Sequence, residues 1–280
     1  MKKKWFAAAL AGTLLAVLLL NGCASAQTAK RLRFGVAGEG GVYHAFGELY
    51  AALENETDNG TVELKTTAGS AANLRLLTGE YLQLAIAQGD LAQDAYDQTG
   101  IFADEEETRG FGAVAALYTE ACQIVVRADA DIQSVEDLQG KTVSIGAEQN
   151  ALQILAAYGL NDKLVDTVNL NYEDAAAQLK AGKVDAIFIT AGAPSPVLTE
   201  LAGECGIRLL NVDGAAAQRL TSAYSAYSAV TLPAGTYPGQ DTDVQTVGVK
   251  AVLLASDELP AKQVQKLTEL LFSGREGMEE

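Results

Sequence analysis

The chain is poor in the residues that build metal and nucleophilic sites. It holds one histidine, His44, and three cysteines, Cys23, Cys122 and Cys205, in 280 residues. No HExxH, CxxC or histidine cluster occurs, so neither a structural nor a catalytic zinc site is expected. No Gly-x-Ser-x-Gly elbow is present, and His44 and Cys122 fall in separate predicted elements. No nucleophile–base pair emerges, so no catalytic residue and no cofactor is assigned. Basic residues are scarce as well: 20 Lys and Arg stand against 36 Asp and Glu, a formal net charge of −16. Nucleic-acid binding needs a basic face, so this balance argues against such a partner.

What is present begins with Lys2, Lys3 and Lys4, followed by an apolar run over 5–20 and then Leu20-Asn21-Gly22-Cys23. A basic start, an apolar core and small residues before a cut describe an export signal over 1–22. The closing cysteine resembles the lipobox of bacterial lipoproteins, in which Cys23 is diacylated and becomes the first mature residue. The apolar run is shorter than the ~20 residues that a membrane span prefers. Stable anchoring takes more than one acyl chain, which a diacylated Cys23 supplies. Residues 23–30 then form a tether, and the protein is expected outside the cytoplasm, held to the bilayer. Loss of the three signal lysines leaves 17 of the 20 basic residues against 36 acidic ones, a charge of −19. Outside the cell Cys122 and Cys205 can pair. Their positions in different elements favour two separate buried thiols.

The rest alternates short apolar strands with amphipathic helices. Strands are expected over 32–37, 62–66, 84–88, 114–118, 123–127, 142–146, 165–170, 184–190, 207–210 and 247–255. Phe46, Leu49, Tyr50 and Leu53 recur at helical spacing. Further helices are expected over 70–77, closed by Gly79, and over 91–97. Ser134 to Asp137 reads as a capping-box helix start. Helices also fit 149–158, 175–181, 196–202 and 214–222, and one beginning at Pro260 that carries Val264, Leu267 and Leu271 on one face. This alternation predicts an α/β fold of mostly parallel sheets covered by helices. Two such runs predict two lobes, with 31–120 and 230–280 forming lobe 1 and 124–226 lobe 2. Ligands of open α/β sheets bind beyond the carboxyl ends of strands, which here gives a cleft between lobes that closes on a hinge.

Four segments fall at those strand ends. In Gly38-Glu39-Gly40-Gly41-Val42-Tyr43, glycines let backbone approach a ligand, and the following helix start favours an anion; the alternative is a plain tight turn. Tyr43 stands where a dinucleotide fingerprint needs its third glycine. In Thr66 to Asn73 a strand again enters a helix, with Ser70 either a simple N-cap or a carboxylate ligand. Gln88, in Gln88-Gly89-Asp90, is either a ligand contact or an exposed turn residue. Thr190, in Thr190-Ala191-Gly192-Ala193-Pro194, ends the most apolar strand of lobe 2. Tyr43, Tyr118 and Tyr237 can each close over a ligand or pack in the core.

These segments together resemble the TAXI family, the solute receptors of one class of tripartite ATP-independent periplasmic (TRAP) transporters. The stretches that carry the resemblance are GEGGVYHAFG from Gly38, TTAGSAANLRLL from Thr66, ALYTEACQIVVRADADIQSVEDLQGKTVSIGA from Ala116, GKVDAIFITAGAPSP from Gly182 and LPAGTYPGQDTDVQTVGVKAVLL from Leu232. The resemblance implies a type II periplasmic-binding-protein fold and delivery of a small anionic metabolite, such as glutamate or a dicarboxylate, to TRAP permease subunits. It implies ligand-binding roles for Gly40, Gly41, Tyr43, Ser70, Asn73, Gln88, Tyr118 and Thr190. Two departures stand out: the loop after 142–146 is shorter than the family's, and the chain ends at Glu280, earlier than family members do. Service to an ABC-type permease or a sensor kinase is the alternative, and an enzyme on the same fold a further one.

Overall fold

The computed structural model describes residues 31–273, apart from Gly40 and residues 58–61, 106–107 and 147–148. The signal segment, Cys23, the tether and Gly40 therefore lie outside the described residues. Among the described residues no helix is long and apolar enough to cross a membrane.

The first half of the chain is β1 (Leu32–Val36), α1 (Val42–Thr57), β2 (Val62–Thr66), α2 (Ser70–Thr78), β3 (Leu84–Gln88) and α3 (Gly89–Asp97). The long strand β4 (Phe111–Arg127) carries the chain into β5 (Thr142–Ser144), α4 (Gln149–Ala157), β6 (Asp166–Val168), α5 (Tyr172–Lys180), β7 (Ala186–Ala191), α6 (Pro196–Cys205), β8 (Ile207–Leu210), α7 (Gly214–Ala223) and β9 (Ser228–Leu232). A second long strand, β10 (Val244–Ser256), returns to the first half, where α8 (Ala261–Ser273) closes it.

The strands form one sheet in the order β2-β1-β3-β10-β4-β7-β5-β6, with β8 paired to β4 and β9 to β10. β1 runs parallel to β2 and β3, and β5 parallel to β6 and β7. β4 and β10 run antiparallel to each other and to their other neighbours. The sheet is thus mixed rather than mostly parallel, because two strands pass through both halves.

Strand side chains alternate between faces, and the core follows that period of two. Phe34, Val36, Leu84, Ile86 and Leu253 pack on one face with Tyr50 of α1 and Leu267 of α8. Ala85, Ala87 and Leu254 pack on the other with Leu74 and Leu77 of α2. In the second half Ile124, Val126 and Phe188 meet Ile154 and Leu220, while Val125, Ile187 and Ile189 meet Leu179 and Leu198. The core changes hands at Ala121 in β4 and between Val249 and Ala251 in β10. Leu232, Tyr237, Val244, Val247 and Val249 therefore belong to the second half's core, not to the lobe expected from residue 230 onward.

Several local expectations shift. The segments 114–118 and 123–127 are one continuous strand; polar Thr119 and Glu120 interrupt the apolar run but not the backbone ladder. β9 was not legible, because residues Ser228, Ala229 and Thr231 are exposed and give no inward apolar pattern. The helix expected after Ser134 is a single 3₁₀ turn over Glu136–Leu138. Asp137 holds it from below, accepting from the N–H groups of Gln133 at 2.8 Å and Ser134 at 2.9 Å. On α1 the buried stripe runs through Tyr43, Tyr50 and Ala51, and Leu49 is 48 % exposed. α8 sets that rotation: Tyr50 Oη donates to the Leu267 carbonyl at 2.8 Å. Gly79 does cap α2, but with φ −79°; Glu80 takes the left-handed turn at φ 58°.

Candidate functional site

Tyr43 lies in the first turn of α1, Ser70 opens α2, Gln88 ends β3, and Glu120 sits at the middle of β4. These four positions, far apart in sequence, join in one hydrogen-bonded chain. The Gln88 N–H donates to Ser70 Oγ at 3.0 Å. Ser70 Oγ and Tyr43 Oη are 3.3 Å apart. Tyr43 Oη donates to Glu120 Oε2 at 2.7 Å, which leaves the Ser70 hydroxyl as the donor to Tyr43. Ser70 is thus not the N-cap of α2. That position is Gly69, whose φ of 95° suits glycine, and the helix start carries no side-chain cap. Its first-turn N–H groups keep the positive end of the helix dipole.

Asp90, in the first turn of α3, adds a second acid. Its Oδ2 accepts from Asn150 Nδ2 at 2.9 Å. Asn150 also donates to Tyr227 Oη at 2.7 Å, and Tyr227 in turn donates to Gln153 Oε1 at 2.6 Å. One turn along α3, Asp94 Oδ2 accepts from Gln149 Nε2 at 2.8 Å. The start of α4 in the second half is thereby bonded to α3 of the first. Gly192, after β7, packs on the same junction: a Cβ there would come 3.3 Å from Tyr118 Cε2 and 3.4 Å from Val42 Cγ1.

Burial governs the electrostatics. Glu120 is 3 % exposed and Asp90 7 %. The Glu120 carboxyl is pushed up to about 8, first by burial and further by the charge of Asp90, against the lowering effect of the Tyr43 bond. Burial also raises Asp90, offset by Asn150 and by the helix amides of Leu91 and Asp90 itself. Among the described residues no Lys or Arg forms an ion pair with either acid. Buried carboxyls are ordinarily paired, so two without a cationic partner make this junction a candidate functional site. Gln88 Oε1, Asp90 Oδ1, Tyr118 Oη and Gln149 Oε1 are buried without any partner. Native interiors leave few such groups, and each calls for an explanation.

The eight residues carried over from the family separate on this geometry. Tyr43, Ser70 and Gln88 converge, and Tyr118 lies two residues before Glu120 on the same face of β4. Gly41 caps α1, with its N–H on the Gly38 carbonyl at 3.2 Å. Asn73 is a correction: it is fully buried, with Nδ2 on the Gly35 and Ile86 carbonyls at 3.2 and 2.8 Å and Oδ1 accepting from Thr67 at 2.6 Å. It pegs α2 to the sheet. Thr190 is beside the junction, but its hydroxyl donates to Cys122 Sγ at 3.5 Å and its backbone is bonded in both directions to Tyr172 Oη. Tyr237 takes the core-packing alternative. It is buried on the opposite face of β4, donating to Gln123 and accepting from the Ser195 N–H. Cys122 and Cys205 are free thiols in different cores.

A groove of about 490 Å³ lies elsewhere, lined by Thr119, Ala121, Ala193, Pro194 and residues of Val230, Thr231, Leu232, Pro233, Gly235 and Thr236. Thr119 and Ala121 alternate with Glu120 on β4, so this groove opens on the other face of the strand. Its walls hold no buried charge, whereas the Glu120 junction holds acceptors that lack partners. We take the junction as the site. Among the described residues no group of three or more potential metal ligands occurs.

Two α/β halves joined by long strands, with the site at the carboxyl ends of β1, β2 and β3, define a type II periplasmic-binding-protein fold. The family model matches residues 34–280, and the chain belongs to the NMT1-like family. Solved structures agree on the fold. The alkanesulfonate-binding protein SsuA from Xanthomonas axonopodis pv. citri, bound to MOPS, is 20% identical with a TM-score of 0.55, covering 91% of this chain and 78% of that one. The GluR0 ligand-binding core from Nostoc punctiforme, in complex with L-glutamate, is 15% identical with a TM-score of 0.55, covering 88% and 93%. An ancestral arginine-binding protein bound to arginine is 17% identical with a TM-score of 0.56, covering 88% and 92%.

Proposed function

We propose that the chain is the lipid-anchored, extracytoplasmic solute-binding subunit of a TRAP transporter, capturing a small metabolite of the carboxylate or amino-acid class for a membrane permease. The observation that supports this reading most is the set of buried, partnerless polar atoms of Gln88, Asp90, Tyr118 and Gln149 along the junction. A small polar solute held between two lobes supplies the missing partners and removes water at the same time. The uncapped first turn of α2 receives the carboxylate end of that solute. Tyr118, packed against Gly192, covers it from one side. No group in the junction is arranged as a nucleophile with its base, so the reading is capture and release without turnover. The export signal and Cys23 supply the location and the membrane attachment.

The test is thermal unfolding of the purified protein against a panel of dicarboxylates and amino acids. A solute at about a hundred times its Kd stabilises by about 2.7 kcal/mol. For a chain of this size that is a rise in Tm of roughly 5–10 °C. A panel with no effect overturns the reading. A gene for a large multispanning permease beside this one supports the TRAP assignment, and an ATPase gene in its place supports the ABC-type alternative.

A further inference from the structure

We infer that the solute taken by this junction carries a protonated nitrogen, an ammonium or guanidinium group, seated against Glu120 and Asp90. The inference rests on the solute-binding reading above and narrows its ligand class.

The argument is an inventory of donors and acceptors. Almost every side-chain donor at the junction is already committed. The Tyr43 hydroxyl gives its proton to Glu120, and the Ser70 hydroxyl gives its proton to Tyr43. Asn150 spends its amide on Asp90 and Tyr227, and Tyr227 spends its proton on Gln153. Tyr172 donates to the Thr190 carbonyl, and Thr190 to Cys122. Of the hydroxyls at the junction only that of Tyr118 is uncommitted, and the Gln88 amide nitrogen is the other side-chain donor still open to a solute. The acceptors are in the opposite condition. Asp90 Oδ1 is buried with no side-chain donor, only the amides at the start of its own helix lying near the carboxyl; Glu120 takes one bond at Oε2, and Gln88 Oε1 is empty. Both acids are more than nine-tenths buried with no Lys or Arg paired to them. Such a site rewards a group that brings several N–H donors and a positive charge, because a charge-assisted bond to a buried carboxylate is worth roughly twice a neutral one. A nitrogen-free dicarboxylate brings further acceptors and negative charge beside two buried acids. With a carboxylate at the start of α2 and a cationic nitrogen at Glu120 and Asp90, the site fits a zwitterion.

The titratable groups that face Glu120 are Tyr43 from α1, Asp90 from α3, Tyr118 and Cys122 on β4, and Tyr172 from α5. All but the two acids are held neutral by burial across the accessible range. A cation therefore binds more tightly as Glu120 loses its proton with rising pH, and an anion binds less tightly.

The test is calorimetric titration of the purified protein with pairs that differ at one carbon, an ammonium in one member and a keto oxygen in the other: L-glutamate against 2-oxoglutarate, and L-alanine against pyruvate, with agmatine as a carboxylate-free cation. The expected result is at least about a tenfold preference for the nitrogen-bearing member of a pair, growing between about pH 6.5 and 8.5. The isosteric Glu120→Gln variant, whose carboxamide still accepts from Tyr43, should lose that preference and its pH dependence. A nitrogen-free acid that binds as tightly as its partner, or a preference that survives Glu120→Gln, overturns the inference and leaves the solute-binding reading standing. Failure of every probe at about 10 mM counts against both.

Discussion

Tyr43 Oη donates to Glu120 Oε2 at 2.7 Å and so ties the first turn of α1 to the middle of β4. The bond joins a loop that follows the first strand to the strand that carries the chain between the two halves. It also holds a carboxyl at a place where burial makes the charged form costly.

That cost fixes a pH dependence. Glu120 has a folded pKa raised from 4.5 to about 8. Between those values the native chain keeps a proton that the unfolded chain releases. Its contribution is fully present below the lower value and is lost as pH rises through the upper one. The slope reaches about 1.4 kcal/mol per pH unit at most. Asp90, raised in the same direction, adds to it. Denaturant unfolding of the solute-free protein should therefore show the Glu120→Gln variant gaining stability over the parent as pH rises toward 8. Parallel pH profiles for the two proteins would contradict this account of Glu120.

Asn73 is a structural peg. A Cβ on Gly35 would lie 2.7 Å from Asn73 Oδ1 and would also meet Leu82, so the glycine makes room for the amide. Asn73→Ala removes two buried bonds to the Gly35 and Ile86 carbonyls and leaves the Thr67 hydroxyl without its Asn73 acceptor. It should cost about 2–4 kcal/mol in chemical denaturation. Solute affinity measured on the folded variant should stay within about twofold of the parent. A large loss of affinity at unchanged stability would return Asn73 to the ligand-binding set.

The bonds from Asn150 to Asp90 and from Gln149 to Asp94 hold the start of α4 against α3. The double change Asn150→Ala with Gln149→Ala removes both. The solute-free protein should then open, seen as a larger radius of gyration in small-angle scattering. Affinity should fall about tenfold or more, since each lost bond to a charged partner is worth about 1.5–3 kcal/mol. An unchanged radius in the solute-free state would show that these bonds do not set the distance between α3 and α4.

The two described thiols should behave differently. Cys122 is buried between β4 and Thr190, and burial pushes its pKa up to about 12. Cys205 is partly exposed on α6. The thiolate is the reactive form. Alkylation of the native protein followed by peptide mass spectrometry should label Cys205 and spare Cys122 until denaturant is added. A peptide linking the two would refute the free-thiol assignment.

Much of the fold was legible because its signals are local. Glycines and short apolar runs placed most strands and helices within a few residues, and the strand-to-helix turns at Gly41 and Ser70 lie at the strand ends that carry the candidate site. Tyr43, Ser70 and Gln88 meet there because β1, β2 and β3 are adjacent and parallel. The acids were missed for a physical reason. Glu120 reads as a polar break between two short strands, because burial of a carboxyl depends on Tyr43, seventy-seven positions away in the chain. Asp90 reads as a helix-start residue, which it also is, and its bond to Asn150 comes from the other half. Asn73 misled in the opposite sense: the family resemblance implies a ligand contact, and only Gly35 and the β3 carbonyl reveal the peg. Tyr237 and the residues up to Val249 joined the second half because β10 passes through both cores, which strand count alone does not show.

The most direct measurement is native mass spectrometry of the purified protein beside a Gln88→Ala, Tyr118→Phe double variant and a Thr236→Trp variant that fills the groove on the other face of β4. The account predicts one small solute per chain on the parent and on Thr236→Trp, and occupancy reduced about tenfold or more in the junction variant. Solute retained by the junction variant and lost from Thr236→Trp would place binding in the groove and contradict it.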